Sequence, residues 1–355
     1  MRKKLFMDNN EQKFQQENLA QSSKRPQFQE QSWQQAQQQY DRQQPSDTGS
    51  IQYVHNQQIQ NQGLAQNLNK KVPLWRIWLI TVAFLVLHLL VLNMSGMIVG
   101  ALKVIANPVS TQQEMIDLLL TADIQNWACV IMGSICIPIY IVFLKKRNQK
   151  FIGSLGQHKL GIGSVSSMSV AAFGSLGLVT GLILLMQELG KNVTYIDQKL
   201  QQYQEMSELI VSENSNIILQ IVATAIIVPI AEELLFRGIV MGELNLRYSQ
   251  RKVVLIQAIL FGLFHMNFVQ SLYTFIPGLL LGIAYYYTGN IIIPIVMHMI
   301  FNLFGGVLSV FLSEQILNYL SYIEMAAGLF SLLIIIIFFI KAKPDSKHKL
   351  QWEHN

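Results

Sequence analysis

Between residues 77 and 341 the chain passes through repeated apolar stretches such as "IILQIVATAIIVPI" at 217–230. No other feature constrains the fold as much. Backbone placed in hydrocarbon must satisfy its own polar groups, so only helices and closed barrels cross a bilayer. Runs near 20 residues suit helices, because a spanning strand needs only about 10. Taking roughly 20 residues per span, the runs lie near 77–101, 127–144, 166–187, 216–239, 253–269, 272–288, 291–312 and 323–341. The expected fold class is therefore all-α: a polytopic transmembrane helix bundle of about eight spans. Charged residues make up 13% of the chain, against about a quarter in a soluble protein.

The loops give an expected orientation. "KKVPLWR" before the first run, "KKRNQK" after the second, "RYSQRK" after the fourth and "KAKPDSKHK" after the last are basic. The loops after the first and third carry acids, as in "EMID" and "YQEMSELIVSE". Basic loops stay in the cytoplasm, which places both termini there. The net charge of +5 comes from these clusters beside apolar runs, so nucleic acid is not an expected partner and the lipid bilayer is. Residues 1–70 are rich in Gln, Asn and Ser, as in "QSWQQAQQQYDRQQ". Such a tract cannot bury enough surface to offset its ordering entropy and reads as a disordered cytoplasmic tail.

The expected organisation is a tail (1–70), a three-span region (71–210), a core (215–312), a last span (313–341) and a basic cytoplasmic tail (342–355). The polar loop 188–215 is able to form an external amphipathic helix. Cys129 and Cys136 lie seven apart on one predicted helix, about 10 Å by helical rise, too far for a disulfide. Gly177 and Gly181 are spaced for close helix approach. Trp75, Trp78 and Tyr285 to Tyr287 read as interfacial belts. There is no internal repeat of the kind transporters carry.

Ionisable residues within spans are costly and mark function. The set is short: His88, Glu232, Glu233, Arg237, His265 and His298. His88 stands alone and reads as a packed or interface residue. Glu233 and Arg237 are i, i+4 and face each other on a helix, while Glu232 is turned by about 100° and falls outside the pair. Pro229 removes a backbone donor one turn earlier and is expected to kink the helix. Phe261 with His265, and His298 with Asn302, are further i, i+4 pairs on the next polar-bearing spans. No Ser or Cys shares a face with a His there. A Glu–His pair suits activation of a water, and a second His with an Asn amide suits donation to an oxyanion. The chemistry is then hydrolysis of an acyl bond, most simply a peptide bond. The same Glu232, His265 and His298 also form a catalytic-zinc ligand set, although the helix signature HExxH is absent.

"EELLFRG", "FGLFH" and "HMIFN" resemble three motifs, EExxxR, FxxxH and HxxxN/D, of the CAAX protease and bacteriocin-processing (CPBP, or Abi) intramembrane proteases. The resemblance covers roughly 215–310, with motif order and spacing intact. Three motifs in order are far more specific than one. The resemblance implies an all-helical membrane protease whose site opens toward the cytoplasm. It implies that Glu232 and His265 activate the water, that His298 and Asn302 form the oxyanion hole, and that Glu233, Arg237 and Phe261 support them. Substrates would be a membrane protein or a lipidated or other peptide. The family includes enzymes of prenylated CAAX proteins and bacterial members tied to bacteriocin processing and self-immunity, and is often called metalloprotease. A glutamate-dependent mechanism is preferred over zinc, because Asn302 is a natural oxyanion donor and a poor zinc ligand. The Gln-rich tail resembles those of Gram-positive bacterial membrane proteins. A non-enzymatic immunity or scaffold protein of the same family is the alternative.

Overall fold

The computed structural model describes residues 72–107, 123–147, 162–210, 216–308 and 311–341, with scattered positions between 109 and 118. The chain divides into two units, Met1–Lys70 and Lys71–Asn355. The expected tails at 1–70 and 342–355 lie outside the described residues.

The described residues of the second unit form helices and no strand. They are α1 (Leu74–Ala106), α2 (Ile124–Lys146), α3 (Ile162–Gly190) and α4 (Thr194–Ile210), then α5 (Ile217–Asn245), α6 (Gln250–Phe264), α7 (Phe268–Thr288), α8 (Ile292–Val307) and α9 (Glu314–Lys341). Six of these, α1, α2, α3, α5, α7 and α9, are long and apolar enough to cross a membrane. The two further spans expected from the sequence are α6 and α8. At 15 residues, α6 reaches about 22 Å at 1.5 Å per residue, short of a hydrocarbon core of about 30 Å. The run at 253–269 is continuous in hydropathy, but the helix stops at Phe264 and the chain turns through Met266, whose φ is 54°. Asn267 then caps α7 by accepting from the Gln270 amide.

Outward-facing positions of α1 and α9 are large and apolar: Leu79 is 59% exposed, Met97 68% and Leu329 73%. Such surface suits lipid and not water. The inward faces form one core running from Ile77 through Tyr140, Leu235 and Phe261 to Phe338. Both cysteines are free and buried in α2. His88 is buried and pairs through Nδ1 with the Tyr140 hydroxyl at 3.1 Å. Tyr285 departs from the expected belt, because it is only 4% exposed and belongs to the core, whereas Tyr287 is 58% exposed.

The polar loop 188–215 does contain a helix, α4. It packs on α3 and against the start of α7, through Tyr195 on the Phe268 ring, Tyr203 on Tyr273, and Met206 beside Asn267. It thus lies over the turn between α6 and α7. At the opposite ends of these helices the basic residues gather. Arg147 pairs with buried Glu243, Arg247 donates to the Val72 carbonyl and Arg251 to that of Ile340. Trp78 donates to Tyr248 in the same layer.

Helices α3 and α9 pack closely where side chains are smallest. A Cβ added at Gly177 would lie 2.0 Å from the Glu324 carbonyl oxygen, and one at Gly174 would lie 2.2 Å from that of Ala327. The expected glycine pair was 177 and 181, but a Cβ at Gly181 would meet nothing within 4 Å. Overpacking of this kind costs about 1–3 kcal/mol. Gly177→Ala is expected to lower the unfolding temperature of detergent-purified protein by several degrees, and Gly181→Ala to leave it unchanged.

Candidate active site

The site is built on α5, whose middle is not a regular α-helix. Pro229 has no N–H to return to the preceding turn. Just before it the helix widens to π geometry over Ile221–Ile227, with Val228 N bonded to the Ala223 oxygen. A second π segment follows at Leu234–Val240, and a third closes α8 at Leu303–Val307. Single π turns are rare and gather at functional sites. Here they bracket Glu232 and Glu233 on α5 and follow His298 and Asn302 on α8. The sequence predicts a kink at Pro229; the observed feature is this widening of the helix before it.

Arg237 Nη1 donates to Glu233 Oε1 at 2.9 Å, both side chains being 0% exposed. The guanidinium also donates to the Gly278 carbonyl at 3.1 Å and sits 4.9 Å from the Phe261 ring centroid. Gln257, fully buried one turn before Phe261, donates to the same carbonyl at 2.8 Å. Gly278 permits this layer, since a Cβ there would come within 3.1 Å of the Phe261 ring. Gln257, Phe261 and His265 form an i, i+4, i+8 stripe, and an uncharged amide among ionisable candidates is easily passed over.

The Glu233 carboxylate does a second task. His298 Nδ1 lies 2.8 Å from Glu233 Oε1. A carboxylate accepts, so Nδ1 carries the proton and donates. That fixes the ring and turns Nε2 toward Glu232 Oε2, 3.9 Å away. Glu232 is 7% exposed and its Oε2 has no hydrogen-bond partner among the described residues. The sequence pairs Glu232 with His265, but the structure brings it to His298 instead.

His265 ends α6 and is half-buried. Its Nδ1 donates to the Phe261 carbonyl at 2.9 Å, with the Thr274 hydroxyl 3.5 Å away. No ion pair joins it to Glu232 among the described residues. The Phe261 ring stands between the two histidines, edge-on to His265 at 5.2 Å and to His298 at 5.7 Å. Asn302 donates through Nδ2 to the Thr224 carbonyl, at 2.8 Å, inside the first π segment. Its amide has a second N–H to give.

A zinc site needs donors converging at about 2.0–2.2 Å from one point. Among the described residues no three His, Cys, Asp or Glu side chains converge in this way. His298 keeps Nε2 free while Nδ1 donates to Glu233, as metal-ligating histidines commonly do, but no ion pair brings His265 to Glu232 among the described residues. In this structure Glu232, His265 and His298 are not assembled into a three-ligand set.

Residues 214–304 match the family described as type II CAAX prenyl endopeptidase Rce1-like. The matched segment holds Glu232, Glu233, Arg237, Phe261, His265, His298 and Asn302. It is the same class of intramembrane protease that the three motifs resemble. The family is one of proteases, and the likeness supports a peptidase within a multi-pass membrane protein. No curated protein and no solved structure matches the chain.

The two adjacent carboxylates differ in what they hold. Removing one partner of a buried ion pair costs about 3–5 kcal/mol. Arg237→Ala, which strands Glu233, is expected to lower thermal stability by that order. Glu232→Gln, which removes an unbonded carboxylate oxygen, is expected to leave it unchanged. Comparing unfolding temperatures of the two purified variants checks the difference.

Proposed function

We propose that the protein is an intramembrane endopeptidase that hydrolyses a peptide bond with a glutamate-activated water. The observation that carries this reading is Glu232 Oε2, buried and unbonded, facing a histidine nitrogen whose ring is held by a second carboxylate. A base oriented by a third group is the recurring arrangement for activating a nucleophile. A water 2.8 Å from each would fit between Glu232 Oε2 and His298 Nε2, given their separation of 3.9 Å.

In the proposed reaction the water gives a proton to Glu232 and attacks the scissile carbonyl carbon. Asn302 donates its second N–H to the oxyanion that forms. When the C–N bond breaks, the proton held by Glu232 passes to the leaving amine. His265, half-buried at the end of α6, orients the substrate. Glu233, Arg237 and Phe261 hold His298 and do not touch substrate. No step runs through a metal. The orientation we propose places the basic ends of the helices, and both termini, in the cytoplasm. A setting in bacteriocin processing or self-immunity, in a Gram-positive plasma membrane, is part of the proposal and rests on the motifs and tail composition alone.

The test is cleavage of a reporter membrane peptide by purified protein in proteoliposomes. General acid–base groups contribute about 10²–10⁴-fold. Glu232→Gln and His298→Ala are each expected to lose activity on that scale at unchanged expression, and activity is expected to survive exhaustive chelation. Wild-type-like cleavage by Glu232→Gln would falsify the mechanism. Bacteriocin protection that persists in Glu232→Gln would favour a binding protein over a protease.

A further inference from the structure

A cavity of about 460 Å³ opens beside the catalytic cluster, between α3, α4, α7, α8, α9 and the first π segment. Asn302 and Thr224 line it, so it touches the proposed oxyanion donor directly. Its lining lies toward the ends of the helices remote from the basic layer, so in the proposed orientation it sits on the side away from the cytoplasm and not, as the resemblance implies for the site, toward it. The starts of α5, α7 and α9 and the end of α3 form its walls. No Lys, Arg or His stands on its wall, while one carboxylate does: Glu324 of α9. Glu324 has no ion-pair partner among the described residues. Gln220 lines the same cavity, is 2% exposed, and its Oε1 has no hydrogen-bond partner among the described residues. Rotation about the last torsion lets that amide present its oxygen to a donor. Ser321, one turn before Glu324, and the Tyr203–Tyr273 hydroxyl pair add further acceptor oxygens.

A buried polar acceptor without a donor costs about 1–3 kcal/mol, and an unpaired carboxylate inside a membrane helix costs more. Both costs fall if the cavity receives a cationic hydrogen-bond donor. Leu176, Val179, Ile183, Phe301 and Phe304 make the apolar part of its walls, which also carry Thr180 and Gln270. That combination fits a long aliphatic stem ending in a positive charge.

We infer that this cavity is a specificity pocket that takes a basic side chain, lysine or arginine, lying next to the scissile bond of the substrate, with Glu324 as the residue that selects it. The inference rests on the peptidase reading of the Glu232 cluster. It adds a charge preference on the substrate that the catalytic residues do not set. Glu324 does not touch the reacting atoms. Its part is to bind, so it acts on KM and selectivity.

The experiment uses the full-length protein in proteoliposomes with paired reporter peptides that differ only in having Lys or Met at residues flanking the cleavage site. Wild type is expected to cleave the Lys peptide with kcat/KM at least tenfold above the Met peptide. In Glu324→Gln the preference is expected to fall to within twofold, through a higher KM for the Lys peptide. Glu324→Asp is expected to keep part of the preference. Equal cleavage of both peptides by wild type, or an unchanged preference in Glu324→Gln, overturns the inference while leaving the protease intact. If no peptide is cleaved by wild type, the protease reading fails instead, and the inference with it. Folding of each variant is read from its unfolding temperature, because Glu324 faces α3 through its backbone at Gly177 and a misfolded variant would lose both activities together.

Discussion

The Glu233 carboxylate, buried to 0% exposure, is the point on which the site depends. Its Oε1 accepts from Arg237 on its own helix and from His298 on α8. An isolated carboxylate in such a place would lose its charge or unfold the helix, since desolvation alone amounts to several kcal/mol per ion. The pair with Arg237 removes that difficulty. The bond to His298 then uses the remaining charge to set the tautomer and direction of an imidazole. Arg237 is fixed in turn by the Gly278 carbonyl and the Phe261 ring. Four helices, α5, α6, α7 and α8, are thereby tied to one another around a single buried ion pair.

The rest of the core serves that tie. Phe261 is packed by Phe236 from α5 at 5.0 Å and faces both histidines. Its motif position is explained by this central contact and not by chemistry of its own. Gly278 keeps α7 close enough for its carbonyl to reach Arg237 and Gln257. The π segments on α5 and α8 release the backbone from strict α geometry beside the site, and the Thr224 carbonyl in the first of them receives Asn302. With His298 locked from one side, Glu232 is left as the carboxylate with an unbonded oxygen facing it.

Much of this was legible in the residues themselves. The Glu233–Arg237 pair follows from spacing along one helix, because i, i+4 contacts need no tertiary information. The partner of Glu232 does not follow, since His265 and His298 are equivalent candidates until α6 and α8 are placed in space. Among the described residues six helices, not eight, are long and apolar enough to cross a membrane, and at α6 the reason is that hydropathy continues past Phe264 although the helix does not. "HMN" at 265–267 holds no glycine or proline to announce the turn. Glu243 and Glu324 were missed for a related reason. Both lie near the ends of apolar runs, where a carboxylate usually meets water. Here one is buried against Arg147 and the other faces a cavity.

The most direct measurement is an experimental structure of Glu232→Gln in lipid with an uncleaved reporter peptide bound. The account predicts the scissile carbonyl between residue 232 and Asn302, its oxygen within hydrogen-bond reach of the Asn302 amide, and His298 still joined to Glu233. A peptide bound elsewhere, or a scissile carbonyl held against His265 with residue 232 out of reach, would contradict it.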